Sequence, residues 1–313
     1  MRPVFADPKT DFVFKKLFGT EAHKGLLTAL LNSLLGRKGD QAIREVTFLT
    51  EEQRPKVEEL KFSVVDVKCR DGRGAVFVVE MQVLQVEAFE KRVVYNASKA
   101  YVNQLGRGDD YPELADIFAI SICDFIIWPD LGGEPPVPLV SHWRMQEQQG
   151  GRRGLSQVQY VFVELPKLSL EREPGEEAEE WAYVFKQAPL LSEVPSFLHA
   201  EGPREALDVA RTAHFTAEEW EVYDRAKVAE QDARGALTFA KNEGLAEGKK
   251  EGLAQGKQEA VLAILTSRGL VVSAAQRMAI STCLDVALLD AWIARATTEP
   301  SVEVLLAALK PAS

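Results

Sequence analysis

The sequence is poor in the residues that build disulfide and zinc frameworks. It holds only three cysteines, and the odd number and wide spacing of Cys69, Cys123 and Cys283 predict no disulfide framework and no Cys-x-x-Cys site. The four histidines are scattered and form no His/Cys cluster, so the sequence disfavours zinc. Unpaired thiols favour a reducing compartment, and we expect a cytoplasmic protein.

Long apolar runs and several common enzyme motifs are also missing. No window approaches the roughly 18 uninterrupted apolar residues of a membrane helix, and residues 1–7 lack the apolar stretch of a secretion signal. We therefore expect no membrane partner. The sequence has no Gly-x₄-Gly-Lys-Ser/Thr loop and no Gly-x-Ser-x-Gly elbow, so nothing indicates an intrinsic ATPase or that type of nucleophile.

An excess of basic charge is absent as well. The net charge is −10, from 37 Lys+Arg against 47 Asp+Glu. Residues 1–110 hold 18 basic and 16 acidic side chains, whereas the remainder holds 19 and 31. The first third of the chain is therefore near neutral and can still form a locally basic groove. It does not have the strong basic footprint of a dedicated DNA binder.

The chain does contain the pattern of an α/β domain. Residues 9–35 carry apolar side chains at helical spacing, and Gly36 follows as a helix C-cap. Residues 41–50 end in a strand-like segment, residues 87–106 predict another helix, and residues 117–128 and 156–165 predict strands. This order predicts one α/β domain over residues 1–170.

A β-hairpin is the clearest local feature. Residues 61–70 are rich in β-branched side chains, residues 71–74 read Asp-Gly-Arg-Gly, and residues 75–83 are almost continuously apolar. A strand this apolar is normally buried on both faces in the middle of a sheet. Glu80 is the charged residue that interrupts it.

The rest of the chain predicts helices. Residues 171–242 begin as an acidic linker and continue as a helical extension, and residues 243–258 repeat EGLAEGKK as EGLAQGKQ with glycine at every fourth position. Because each glycine weakens a helix, this repeat is either a linker or surface helix, or a helix that self-associates. Residues 259–313 predict a small all-α module, with a capping box from Ser273 and a last helix capped by Ser301.

The hairpin brings candidate catalytic side chains together. Antiparallel pairing makes the two strands neighbours, and Gln82 shares a face with Glu80 because side chains two residues apart point the same way. If the register brings these faces together, Asp66, Glu80 and Gln82 converge on one spot. Two buried carboxylates repel one another unless a cation pairs with them. Mg²⁺ prefers such oxygen ligands, and a metal held there can polarise a phosphodiester and activate water. The alternative is that each acid is an ordinary solvent-facing group at a strand end.

Several segments resemble the Rpn family of recombination-promoting nucleases and transposase-like proteins, a branch of the PD-(D/E)XK nuclease superfamily. They read DPKTDFVFKKLFG, then KFSVVDVKCRDGRGAVFVVEMQ over the hairpin, then KRVVYNASKAYVNQL and GDDYPEL. The resemblance covers roughly residues 5–165, and the glycine repeat and C-terminal helices also resemble the tails of family members. It implies a PD-(D/E)XK nuclease-like core, in which helices flank a mixed central sheet, followed by an all-α C-terminal region.

The resemblance also implies a metal site. Asp66 and Glu80 would bind Mg²⁺ or Mn²⁺, with the backbone carbonyl of Met81 as a further ligand. Gln82 then stands where the superfamily usually has lysine, and glutamine cannot supply the cation of a lysine.

Two lysines are candidates to replace that missing charge. Lys68 lies two residues beyond Asp66, and Lys99 lies on the helix predicted over residues 87–106. The alternatives are an ordinary surface lysine at Lys68, and for Lys99 a solvated helix face shared with Arg92, Asn96 and Asn103.

Four further residues are candidates for DNA contacts or for support of the site. Arg92 and Gln104 belong to the same predicted helix, and Gln104 is a candidate to approach the site from it. Asp11 and Lys15 lie one turn apart on the first helix, where they form either a simple ion pair or place Asp11 beside the metal.

We therefore expect a Mg²⁺-dependent DNA endonuclease of low sequence specificity, linked to recombination, mobile DNA or phage defence. Its contacts with DNA phosphates would make binding salt-dependent. The competing interpretation is a catalytically weak nuclease-fold scaffold whose C-terminal helices mediate oligomerisation or regulation. A literal transposase is a third, although the sequence shows no module for reading terminal repeats. In each case we expect a homodimer formed through the C-terminal helices.

Overall fold

A computed structural model of the protein describes residues 2–53, 63–106, 108–151 and 153–307. Residues 61–62 of the predicted hairpin strand and residues 308–313 of the predicted C-terminal module lie outside these ranges. The chain forms two compact units, Met1–Glu230 and Gln231–Ser313.

A mixed six-stranded sheet forms the centre of the first unit. Its strands are β1 Val46–Phe48, β4 Val67–Asp71, β5 Val76–Gln82, β6 Ile117–Cys123, β7 Val140–Gln146 and β8 Gly154–Glu164. They lie in the order β1-β4-β5-β6-β8-β7, and a separate pair consists of β2 Glu52–Gln53 and β3 Ser63–Val64. The neighbours β5, β6 and β8 are parallel, so their carboxyl ends share one edge of the sheet.

The predicted hairpin is confirmed. Strands β4 and β5 pair antiparallel, with Val67 opposite Val79 and Arg70 opposite Val76. The turn forms because the Asp71 carboxylate accepts hydrogen bonds from the N–H groups of Arg73 and Ala75, at 3.0 and 2.9 Å. Gly74 completes it with a φ of +93°, a conformation that side chains other than glycine's rarely adopt.

Strand β5 is buried on both faces, as its apolar composition predicts. Phe77 and Val79 face a core covered by helices α1 Asp11–Phe18, α2 Lys24–Leu34, α4 Glu177–Gln187 and α5 Glu201–Val209. Val76 and Val78 face the opposite core, which helix α3 Phe89–Val102 covers with Phe89. Two apolar layers therefore hold β5 and its single carboxylate between them.

The helical segment predicted over residues 9–35 forms two helices, α1 and α2, with a break between them. Gly19 ends α1: its N–H bonds the Lys15 carbonyl at 2.8 Å, and an added Cβ would lie only 3.0 Å from that oxygen. A 3₁₀ turn at Glu21–His23 then leads into α2. The C-cap prediction is confirmed, since Gly36 adopts a φ of +61° and the Arg37 N–H reaches back to Asn32.

The boundary predicted at residue 170 needs correction, because α4 and α5 belong to the first unit's core. Trp181 and Phe185 of α4 place their rings 5.7 and 5.8 Å from the ring of Phe18 in α1. Buried Glu180 fixes the following loop by accepting the backbone N–H groups of His199 and Ala200. The acidic stretch after residue 170 is thus a surface loop within this unit.

The second unit is helical, as predicted. Helix α6, Ala217–Ser267, contains the glycine repeat, and it is followed by α7 Ala274–Ser281, α8 Val286–Ala296 and α9 Val302–Ala307. A small core joins α6 to α8 and α9 through Val261, Leu289 and Leu305. The capping box from Ser273 to Gln276 is present, and the Ser301 hydroxyl accepts the N–H of Val304 at 3.4 Å.

Candidate active site

The hairpin register sets Asp66 against Glu80. Val67 pairs with Val79, and Asp66 precedes Val67 while Glu80 follows Val79, so the two acids are the next pair along the hairpin. The sequence predicted Asp66 within a strand, whereas it lies in the short break between β3 and β4. This break lets its carboxylate turn toward β5, where it accepts the backbone N–H of Met81 at 2.7 Å.

Glu80 is buried beneath α3 and held by two amides. Its side chain is 6% exposed. Asn96 of α3 donates to Oε1 at 2.9 Å, and Gln82 donates from Nε2 to Oε2 at 3.3 Å. Asn96 is itself 5% exposed, and its Oδ1 has no hydrogen-bond partner among the residues that the structure describes. The site therefore fixes one carboxylate firmly and leaves a neighbouring buried acceptor unused.

Arg92 places a positive charge beside Gln82 and Glu80. Its guanidinium donates to Oε1 of Gln82 and lies 5.7 Å from the ring centroid of Phe89. Its Nε–H is buried and, within the described part of the chain, has no acceptor. Arg92 thus donates a hydrogen bond to Gln82, and Gln82 donates one to the carboxylate of Glu80.

The electrostatics disfavour two bare carboxylates. Burial raises the pKa of Asp66 to about 6, although the hydrogen bond from Met81 opposes the rise. Burial and the charge of Asp66 raise the pKa of Glu80, against the lowering effects of Asn96 and Arg92. Burial is the main cause of the raised pKa in both acids, and a cation bound between them would favour their ionised forms.

A cavity of about 840 Å³ opens onto these groups. One wall comes from α3 and its N-terminus and holds Ala88, Lys91, Arg92, Tyr95 and Asn96. Ala88 has a φ of +57°, which is strained for a residue with a Cβ, and such strain is common at functional sites. The remaining lining residues are Val64, Asp66, Glu80, Gln82, Val86 and Glu87.

These donors fit a hard divalent cation rather than zinc. In the described ranges no group of three or more His, Cys, Asp or Glu side chains is arranged to hold a metal. The two carboxylates with raised pKa instead form a sparse oxygen set, of the kind that Mg²⁺ completes with waters.

The two lysines predicted to replace the missing charge lie beside the cavity rather than in it. Lys68 is half-buried opposite Val78, where burial lowers its pKa. Lys99 is 7% exposed, so the solvated-face alternative is wrong for it, and its ammonium lies 5.7 Å from the ring centroid of Tyr95. Of the described residues, the cations that line the cavity are Lys91 and Arg92.

The other three candidates, Asp11, Lys15 and Gln104, do not lie at the site together. Asp11 and Lys15 form the predicted ion pair at 2.8 Å, and the charges of both also act on Asp66. Gln104 is occupied elsewhere, because its amide exchanges two hydrogen bonds with the backbone of Ala115, at 2.9 and 3.0 Å. That exchange fixes the chain between α3 and β6 and gives Gln104 a structural role.

Three residues at the site were not identified from the sequence. Asn96 was assigned to a solvated face, yet it holds Glu80, while Lys91 and Tyr95 line the cavity. The available signal was the spacing of Arg92, Asn96 and Lys99, which places polar side chains on one side of a helix that follows the hairpin.

A mixed sheet that carries an acid pair on its central hairpin defines an α/β nuclease-type core. Residues 8–240 match the family described as "PD-(D/E)XK nuclease family transposase", and the chain therefore belongs to that family. This confirms the resemblance found in the sequence and supports a nuclease role linked to mobile DNA. The match ends within α6, before the glycine repeat.

Other comparisons add no relatives. No curated protein matches the chain, and no solved structure matches it. Within the described residues, no helix has the length and apolar character required to cross a bilayer.

Proposed function

We propose that the protein is a divalent-metal-dependent DNA endonuclease of low sequence specificity that acts in the cytoplasm on mobile, recombining or phage DNA. The main support for this proposal is that Asp66 and Glu80 lie opposite each other across the hairpin, Asp66 partly buried and Glu80 buried, and that the pKa of each is raised. Membership of a nuclease family supplies the reaction class.

In this proposal Asp66, Glu80 and the carbonyl of Met81 hold Mg²⁺, with Mn²⁺ as a substitute. The metal supplies Lewis-acid chemistry, polarising the phosphodiester and acidifying water. The protein contributes orientation: the Met81 N–H fixes Asp66, and Asn96 fixes Glu80. These hydrogen bonds set the ligands in place before substrate arrives, as outer-shell partners do in other metal sites.

Gln82 and Arg92 together take the place of the missing lysine. Gln82 has no charge, but it accepts a hydrogen bond from Arg92 and lies one residue beyond Met81. The guanidinium retains N–H groups that can donate hydrogen bonds to a phosphate oxygen. We therefore assign the phosphate-stabilising charge to Arg92, with Lys68 and Lys99 as more distant contributors.

Binding to DNA would depend mainly on phosphates. Lys91 and Arg92 line the cavity, and Lys15 lies on the α1 side, close enough for its charge to act on Asp66. A few such contacts give modest affinity that falls as salt rises. Low sequence specificity follows from the sequence, which contains no dedicated base-reading module.

Plasmid cleavage tests the proposal. Wild-type protein should nick or linearise supercoiled DNA with Mg²⁺ or Mn²⁺, and Asp66→Asn and Glu80→Gln should each lose at least ~100-fold of the rate because one metal ligand is gone. Glu90→Gln is the matched control, since Glu90 is an exposed acid on α3. No cleavage by wild type of DNA or RNA, or full activity in Asp66→Asn and Glu80→Gln, would refute the assignment.

We also propose that the C-terminal helices form a homodimer. Residues 231–253 of α6 are exposed on every side, and a Cβ added at Gly244, Gly248, Gly252 or Gly256 would meet nothing within 4 Å. Four glycines weaken an isolated helix by about 4 kcal/mol, which close packing against a second copy would offset. Light scattering should give a dimer for the full chain and a monomer for a chain ending at Glu230. A monomer in both cases would contradict the proposal.

A further inference from the structure

Three large apolar side chains converge on the site cavity while remaining open to solvent. Val64 is 54% exposed, Val86 45% and Tyr95 40%, and all three line the same cavity. They come from separate elements, namely β3, the loop after β5, and α3. We refer to these three residues as the apolar wall. Single exposed apolar residues are ordinary, but a converging set beside a polar site marks a binding surface.

Cations lie next to the apolar wall. Lys91 and Arg92 precede Tyr95 by one turn of α3, and all three line the cavity. The Lys99 ammonium lies 5.7 Å from the centroid of the Tyr95 ring, an arrangement in which a cation helps to hold an aromatic side chain. A ligand that complements both the apolar wall and these cations has a flat apolar face and an anionic group. A nucleotide has both, in its base and its phosphate.

We propose that the apolar wall binds the base of an unpaired nucleotide, so that the enzyme prefers single-stranded or locally unpaired DNA. This rests on the proposed nuclease function and specifies its substrate. In an intact duplex the bases are stacked on their neighbours and expose only their edges in the grooves. Stacking on Tyr95 requires a free base face, as in proteins that bind single strands.

Cavity size agrees with this assignment. A volume of about 840 Å³ lies within the range of ligand pockets, which take up a small molecule and not a duplex. Glu80 is almost completely buried, so the phosphate that reacts must enter the cavity to reach the proposed metal ligands. A flexible single strand can place a phosphate beside Arg92 and its base against Tyr95 at the same time.

Binding is tested separately from cleavage. The full chain carrying Asp66→Asn and Glu80→Gln lacks both proposed metal-binding carboxylates, and we expect it to leave DNA intact. Fluorescence anisotropy in EDTA then compares a labelled single strand of about 16 nucleotides with the corresponding blunt duplex. We expect the single strand to bind at least ~10-fold more tightly, since one stacked base contributes about that much or more.

Substitutions at Tyr95 identify the residue responsible. In the same background, Tyr95→Ala should weaken single-strand binding by ~10-fold and leave duplex binding unchanged, while Tyr95→Phe keeps the ring and the affinity. Tyr111→Ala is the control, because Tyr111 is 83% exposed and lies before β6, at the opposite end of the parallel strands. Equal affinity for single strand and duplex would overturn the inference, and so would the absence of any effect of Tyr95→Ala. If Tyr95→Ala has no effect, the apolar wall binds another partner, such as a protein.

Cleavage by the wild-type protein distinguishes the two proposals. With Mg²⁺ it should cut the single strand faster than the duplex, and Tyr95→Ala should reduce that preference. Absence of all cleavage would contradict the nuclease function while the binding result still stands. Equal cleavage of the two forms, with binding that does not depend on Tyr95, would contradict only the substrate assignment.

Discussion

Replacing Asp66 with asparagine should stabilise the metal-free protein at neutral pH, even though it abolishes the proposed activity. Asparagine has almost the same shape and keeps an oxygen for the Met81 N–H. It removes a carboxylate whose ionised form is disfavoured by burial. A residue retained at a cost to stability is expected where function requires it.

The magnitude follows from the pKa. Folding raises the pKa of Asp66 from 3.8 to about 6, so the folded state binds more protons than the unfolded state between these values. The free energy of unfolding therefore falls as pH rises through this window, by about 3 kcal/mol when complete, and is recovered as pH falls. Because the neutral amide accepts a weaker hydrogen bond from Met81, the net gain in Asp66→Asn should be about 1–3 kcal/mol at pH ~8.

Urea unfolding in EDTA measures this gain. Wild type and Asp66→Asn should differ at pH ~8 and converge near pH ~4, where the carboxyl is protonated in the folded protein. Asp40→Asn is the matched control, because Asp40 is exposed and its substitution should change stability little at either pH. Excess Mg²⁺ should then stabilise wild type alone, since a cation that binds only the folded state shifts the equilibrium toward it.

Two results would contradict a destabilising Asp66 carboxylate. The first is a loss of stability in Asp66→Asn at pH ~8, which would mean that the carboxylate is satisfied without a cation. The second is an equal change at both pH values, which would mean that the effect comes from packing and not from charge.

Further predictions concern the cation at the site, the strained turn and the C-terminal unit. Arg92→Gln should lower kcat by about 100-fold in plasmid cleavage, with Arg92→Lys between it and wild type, because the charge faces the reacting phosphate; equal rates would contradict this. Ala88→Gly should raise the free energy of unfolding by about 1 kcal/mol, since glycine tolerates a φ of +57°; a lower melting temperature would contradict it. Ser273→Ala should destabilise α7 by about 1 kcal/mol through loss of the capping box with Gln276, seen as faster amide exchange there; unchanged exchange would contradict it.

Local signals predicted most of the elements that carry the site. The Asp71–Gly74 turn and the apolar run of β5 predicted the hairpin, because turn chemistry and burial on both faces are properties of a few adjacent residues. The sequence left the register of the hairpin open, and the pairing of Val67 with Val79 sets Asp66 opposite Glu80. The sequence also predicted the caps at Gly36 and Ser273, which depend on neighbours within four residues.

Contacts distant in sequence account for what was missed. Arg92 was a candidate from the sequence, but its contact with Gln82 and that of Asn96 with Glu80 depend on how α3 packs against the sheet, which no local pattern specifies. The domain boundary predicted at residue 170 was wrong for the same reason. Trp181 packs on Phe18, although more than half of the first unit's sequence separates these two residues. Helical periodicity showed which side chains share a face but not which face is buried.

Anomalous scattering from a crystal soaked in Mn²⁺ shows whether Asp66 and Glu80 bind one cation. The proposed metal site predicts one strong peak in the cavity, within about 2.5 Å of an oxygen from Asp66 and an oxygen from Glu80, and its loss in the Glu80→Gln protein. A peak elsewhere alone, or none between the two carboxylates at saturating Mn²⁺, would contradict it.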